Sequence, residues 1–164
     1  MNIILEGPDG SGKSTLANVL LQHVPMAFKQ GEGPPKYPGE IQERVFKYLR
    51  MEHTLFDRHP CVSQPIYDSF RENCEGVDSS LLSVFYRQQN LFIFCDNKRS
   101  LEESHDATNP VADTPEHLRL VERNDQAIRD AYRHWAQQHD ALVYNIGDDI
   151  TPLVTACKEF THAT

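Results

Sequence analysis

Along the chain, short apolar runs alternate with stretches whose apolar residues recur every three or four positions, a pattern that predicts an α/β domain on a mainly parallel sheet. Asn2–Glu6 is an apolar strand that runs into a glycine-rich turn. Ser14–Val24 follows as a helix, with Leu16, Val19, Leu20 and Val24 on one face. Met26–Gln30 reads as a second strand, ended by Gly31-Glu32-Gly33-Pro34-Pro35, which regular structure cannot accommodate. Glu40–Glu52 places Ile41, Val45, Tyr48 and Leu49 at helical spacing, and His53–Phe56 is a third strand leading into Asp57-Arg58-His59-Pro60.

Beyond a proline-containing loop, Asp78 is the expected N-cap of a helix carrying Leu81, Leu82, Phe85 and Tyr86. Leu91–Asp96 is the clearest buried strand. Residues 98–113 are polar and irregular, a lid candidate. Thr114 as N-cap and Pro115 at the first helical position then open the longest helix, to about His139, with Leu118, Val121, Ile128, Tyr132 and Trp135 facing the core. Ala141–Asn145 is the fifth strand and Pro152–Phe160 the closing helix.

At 164 residues, with 39% hydrophobic and 24% charged positions, one globular domain spanning 1–164 is expected. The sequence has no apolar run of membrane-spanning length and no signal-peptide pattern, so a cytoplasmic protein (host cytoplasm for a viral one) is expected. Cys61, Cys74, Cys95 and Cys157 share no C-x-x-C spacing, which argues for reduced thiols over a disulfide framework or zinc site. The formal net charge of −8 disfavours general nucleic-acid binding while leaving room for a local basic groove.

Gly7-Pro8-Asp9-Gly10-Ser11-Gly12-Lys13-Ser14 satisfies G-x-x-x-x-G-K-[ST] between a strand and an amphipathic helix. Glycines let backbone N–H groups turn inward around phosphates, and the positive end of the following helix points at the same anion. Lys13 is placed to reach the β- and γ-phosphates of ATP, and Ser14 to bind Mg²⁺. The expected fold is therefore a P-loop NTPase fold, a three-layer α/β/α sandwich with a five-stranded mainly parallel sheet. Asp57-Arg58 ends the third strand, where ligands collect in such sheets. Asp57 would hold Mg²⁺ or orient the acceptor, and Arg58 would clamp a phosphate.

The run Ile3-Ile4-Leu5-Glu6-Gly7-Pro8-Asp9-Gly10-Ser11-Gly12-Lys13-Ser14-Thr15 resembles the E-G-x-D-G-[AS]-G-K-[ST]-T opening of the thymidylate kinase family, and Asp57-Arg58-His59 resembles its Asp-Arg-aromatic motif, with histidine as the departure. The resemblance is close over 2–16 and 54–60 and loose over most of the chain. It implies Lys13 and Ser14 on ATP–Mg²⁺, Asp57 near the metal, Arg58 at the acceptor, Asp9 facing the acceptor's sugar or reacting group, and a possible homodimer. Gly31–Pro35 is similar to the family's Arg-Glu-Pro-Gly-Gly stretch without its arginine; Lys29 and Gln30 are the nearest polar residues, and Lys98, Arg99, Arg119 and Arg123 are the lid candidates. Only 44 positions separate Lys13 from Asp57, an interval shortened by the family's acceptor-covering helix.

A monophosphate acceptor is already anionic and needs arginines or lysines, whereas an alcohol needs a carboxylate to take its proton. The chain keeps Glu6, Asp9, Glu32 and Asp57 and offers few evident acceptor-side arginines. That balance resembles compact bacteriophage members of the family that phosphorylate the hydroxymethyl group of 5-hydroxymethyluracil in DNA, a step of thymidine hypermodification. The expectation leans to that DNA kinase, with a free deoxynucleoside-monophosphate (dTMP-like) kinase close behind and a P-loop ATPase or regulatory module third. Which of Asp9 and Asp57 would act as base stays open. His59, Gln64, Tyr67 and Phe70 are candidate acceptor contacts, and His105 and Asp106 candidate ATP contacts, each equally explained by packing or exposure.

Overall fold

Five strands, each followed by a crossover on the way to the next, assemble into one sheet of order β2-β3-β1-β4-β5 in a computed structural model that describes residues 1–72, 74–96 and 115–163. The strands are β1 (Asn2–Glu6), β2 (Ala27–Gln30), β3 (Thr54–Asp57), β4 (Asn90–Cys95) and β5 (Leu142–Tyr144). Every pairing is parallel, so the expected mainly parallel sheet is wholly so among the described residues. The helices described are α1 (Lys13–His23), α2 (Glu40–Leu49), α3 (Pro60–Asp68), α4 (Ser79–Arg87), α5 (Pro115–Gln138) and α6 (Thr151–His162). The lid candidate at 98–113 and the Thr114 cap lie outside the described residues.

Side-chain alternation along the strands divides the core into two layers. Ile4, Phe56 and Phe94 pack on one face with Val45 and Tyr48 of α2, Val62 of α3, Phe85 of α4, and Val121, Ile128 and Tyr132 of α5. Ile3, Leu5, Leu55, Ile93 and Cys95 pack on the other with Leu16, Ala17 and Leu20 of α1 and Leu153, Val154 and Cys157 of α6. Each large side chain buried here contributes about 1.5–3 kcal/mol. The same alternation sends Asp57 to the α1 face beside Leu55, and Glu6 to the opposite face beside Ile4.

One element departs from the sequence reading. The loop expected after Asp57 contains α3, entered at Pro60 and carrying Pro65 within it. Pro60 occupies the first helical position, where its missing N–H costs nothing. The His59 imidazole caps the turn by accepting from the Cys61 N–H at 3.2 Å. Asp78 caps α4 as expected, accepting from the Ser80 N–H at 2.7 Å.

Candidate active site

β1 lies between β3 and β4, so the turn after it opens where the strand order diverges, the position at which open α/β sheets bind ligands. The turn needs its glycines. At Gly7 (φ +151°) a Cβ would lie 2.3 Å from the Cys95 carbonyl oxygen, so the loop presses against β4 as only glycine permits. Gly12, at φ +79°, precedes α1 and supplies no side-chain cap, which leaves the N–H groups of the first helical turn for an anion. Pro8 and Ser11 are buried, Asp9 is half-buried, and Gly10 and Thr15 are exposed around the same turn.

Lys13 is buried, and its Nζ donates to the carbonyls of Gly7 at 3.0 Å and Pro8 at 2.7 Å and to Ser11 Oγ at 3.2 Å. These bonds hold the ammonium over the loop. Burial, and then the nearby Arg58 charge, lower its pKa to about 8, and the Asp9 and Asp57 charges oppose the shift. Ser14 Oγ donates to Asp57 Oδ2 at 2.6 Å, joining α1 to the end of β3. A hydroxyl and a carboxylate side by side are the hard oxygen donors that suit Mg²⁺, which takes few protein ligands and fills its shell with water and phosphate. The residues present fit a Mg²⁺–nucleotide. No group of three or more metal-binding side chains occurs among the described residues.

Arg58 sits in the left-handed region at φ 70°, a conformation uncommon outside glycine that His53 and Asp140 also adopt. Its guanidinium pairs with Asp9 Oδ1 and reaches the Gly7 carbonyl at 3.4 Å. Burial is the largest single influence and opposes the Arg58 charge, but Asp9, Tyr67, Tyr132 and Glu6 together outweigh it and the pKa stands well above its ordinary value. Tyr67 of α3 donates to Asp9 Oδ2 at 3.2 Å, so both oxygens of Asp9 already accept hydrogen bonds. Gly31, after β2, donates its N–H to the Asp57 carbonyl at 2.7 Å and docks the next loop on this strand end.

Beneath the loop, Glu6 is fully buried and accepts from the His59 N–H at 2.6 Å through Oε1, while Oε2 has no hydrogen-bond partner. Burial raises its pKa to about 8. His59, expected as a possible base contact, is instead core. Its ring stacks on Phe85 with centroids 4.3 Å apart, and burial lowers its pKa to about 3.

A cavity of about 870 Å³ is lined by Pro34–Pro38, Gln64, Phe70, Arg71, Glu72, Cys74, Glu75, Arg119, Leu120, Arg123 and Asn124. Arg119 and Arg123, expected as lid residues, line this cavity with Lys36 and Arg71. Arg71 was missed because it lies in the turn after α3, a stretch read from sequence as a proline-containing loop. Arg44 was also missed. It is buried, pairs with Glu40 and donates to the Gly33 carbonyl, anchoring the 31–36 loop. Its signal was available, since 41, 44, 45 and 48 form one helical stripe and only Arg44 is charged. Lys29 and the Tyr48 hydroxyl both bond Glu32, and the Lys29 bond is the main cause of its lowered pKa. Lys98, Arg99, His105 and Asp106 lie outside the described residues. No described helix is long and apolar enough to cross a membrane.

No protein-family model matches the chain, and no curated protein sequence does. Solved structures match over nearly its whole length. The YorR protein of Bacillus subtilis, in complex with phosphorylated GDP, is 16% identical with a TM-score of 0.67 over 99% of this chain and 98% of that one. Thymidylate kinase from Candida albicans is 13% identical with a TM-score of 0.58, covering 99% and 91%. Deoxyadenosine kinase from M. mycoides, with dCMP and dCDP bound, is 15% identical with a TM-score of 0.57 over 99% of each chain. At these identities the likeness is one of architecture: an all-parallel α/β sheet carrying a glycine-rich phosphate loop after its central strand, the P-loop NTPase fold.

Proposed function

We propose that this protein is an ATP-dependent kinase that transfers the γ-phosphate to a deoxynucleotide. The observation that carries this is the meeting of Lys13, the uncapped start of α1 and the Ser14–Asp57 pair at one sheet end, beside Asp9–Arg58 and a basic cavity. Lys13 and the N–H groups of the loop would hold the triphosphate, and Ser14 and Asp57 the Mg²⁺. The metal would offset charge on the phosphates. Arg58, fixed by Asp9, would face the transferred group. The bond from phosphorus to the ADP oxygen breaks as the bond to the acceptor oxygen forms. Such a transfer depends on positioning and charge more than on covalent help from the protein.

A free deoxynucleoside monophosphate is the acceptor this geometry supports best. Its oxygen is already anionic and requires cations, and Lys36, Arg71, Arg119 and Arg123 line the cavity where the sequence alone offered few. Of the carboxylates the sequence offered to an alcohol, Asp9 is engaged by Arg58 and Tyr67, Asp57 by Ser14 and Glu32 by Lys29 and Tyr48, whereas Glu72 and Glu75 stand at the cavity and are outnumbered there by its four cations. Glu6 is sealed below the loop. The second reading, phosphorylation of the hydroxymethyl group of 5-hydroxymethyluracil in phage DNA, draws support from two features. The cavity volume, about 870 Å³, is near the top of the range for small-molecule sites. Among the described residues only α2 stands between β2 and β3, and none of its residues lines the cavity.

The test is transfer of label from γ-labelled ATP to dTMP, the other deoxynucleoside monophosphates, and DNA containing thymine or 5-hydroxymethyluracil. Label in a free monophosphate supports the first reading, and label only in hydroxymethyluracil DNA selects the second. No label in any of these acceptors rejects both readings. Lys13→Ala should lower the rate at least about 100-fold with the melting temperature retained.

A further inference from the structure

Tyr67 stands between the phosphate loop and the acceptor cavity. Its hydroxyl donates to Asp9 Oδ2 at 3.2 Å, its ring carries the Arg58 guanidinium at 5.2 Å from the centroid, and it carries Arg71 at 5.6 Å. Asp9 and Arg58 belong to the loop end of the site, whereas Arg71 lines the cavity. One buried side chain, 3% exposed, thus touches a carboxylate and two cations drawn from both halves of the site. Burial raises the pKa of its phenol, so the hydroxyl stays a donor through the neutral range. Two guanidiniums held near each other repel, and an aromatic face is a surface on which cations can rest without being neutralised. Each cation also has a carboxylate partner, Asp9 for Arg58 and Asp68 at 3.9 Å for Arg71, so the ring adds a contact that sets position without adding further negative charge.

We propose that Tyr67 is a positioning residue for the acceptor: its ring sets where Arg58 and Arg71 present their charge, and its hydroxyl holds Asp9 so that Arg58 keeps its orientation. The inference rests on the kinase reading above and assigns to one residue the coupling of acceptor grip to phosphate loop. The two functions separate by substitution. Tyr67→Phe keeps the ring and loses the bond to Asp9; Tyr67→Leu loses both.

The experiment measures KM for ATP and for the acceptor (dTMP, or hydroxymethyluracil DNA if that is what accepts label), with kcat and melting temperature, in the wild type and both variants. Tyr67→Leu should raise the acceptor KM about tenfold and leave the ATP KM within about twofold. Tyr67→Phe should hold the acceptor KM within about threefold and lower kcat several-fold. An acceptor KM in Tyr67→Leu equal to wild type overturns the proposal. So does a parallel rise of both KM values with a fallen melting temperature, the signature of a residue that only packs. A wild type that labels no acceptor and binds no nucleotide overturns the kinase reading and this proposal together, whereas an active wild type with an indifferent Tyr67→Leu overturns this proposal alone.

Discussion

Replacing Gly7 by alanine tests whether the phosphate loop is held against β4 as closely as the geometry indicates. The added Cβ would stand 2.3 Å from the Cys95 carbonyl oxygen and 2.9 Å from Ser11 Oγ. Carbon and oxygen ordinarily approach no closer than about 3.3 Å, so the two backbones must separate by about 1 Å. Neither can yield easily, because β1 and β4 are paired from Asn2 to Glu6 in the middle of the sheet. Overpacking of this kind costs about 1–3 kcal/mol, and forcing a side chain into the left-handed region adds about 1–2 kcal/mol. The sum is a sizeable part of the roughly 5–15 kcal/mol that holds a domain folded, and in a chain of this length lowers the melting temperature by about 5–15 °C. Gly33→Ala is the control: φ is +74° there, but nothing lies within 4 Å of the new Cβ, so it carries the backbone strain alone. Thermal unfolding by circular dichroism compares the two. If Gly7→Ala melts no lower than Gly33→Ala, the loop is not wedged against β4 and the steric reasoning fails.

Glu6 gives stability a pH dependence. Its pKa is raised from 4.5 to about 8, so the native state keeps a proton that the unfolded chain has released. Glu6 alone makes stability decline from about pH 4.5 to 8, whereas neutral buried His59, lowered from 6.5 to about 3, makes it rise up to about pH 6.5. The Glu6 decline should therefore emerge between about pH 6.5 and 8, and Glu6→Gln should flatten it there. A wild-type melting temperature that rises between about pH 6.5 and 8, or a Glu6→Gln profile parallel to wild type, would contradict the assignment. His59→Ala should cost about 2–4 kcal/mol of stability through the lost stack on Phe85 and leave the acceptor KM unchanged; a shifted acceptor KM with unchanged melting would return His59 to the substrate. Asp57→Asn should raise the Mg²⁺ concentration for half-maximal rate at least about tenfold, read from metal titrations at saturating nucleotide. An unchanged metal requirement would remove Asp57 from the metal site.

What was legible in the sequence follows from how local its cause is. The phosphate loop is a run of eight residues whose conformation depends on its own glycines, so Gly7–Ser14 announce it without help from the fold. The strands were legible because buried parallel strands are nearly continuous apolar runs, as Leu91–Phe94 are. Helix α3 was not, because Pro65 interrupts its pattern, and its capping histidine, by sequence as much a structural residue as a base contact, stacks on Phe85. The acceptor side shows the same limit at larger scale. Lys36 comes from the loop before α2, Arg71 from the end of α3, and Arg119 and Arg123 from α5. No spacing rule joins positions so far apart, and only the crossovers around a parallel sheet bring them to one cavity. An inventory of the chain undercounts the cations that line this cavity for this reason. The carboxylates show the same dependence on the fold: Asp9 pairs with Arg58, Asp57 accepts from Ser14, and Glu6 fixes the backbone of His59. Charge balance at a site is thus a property of pairing, and pairing is set by topology.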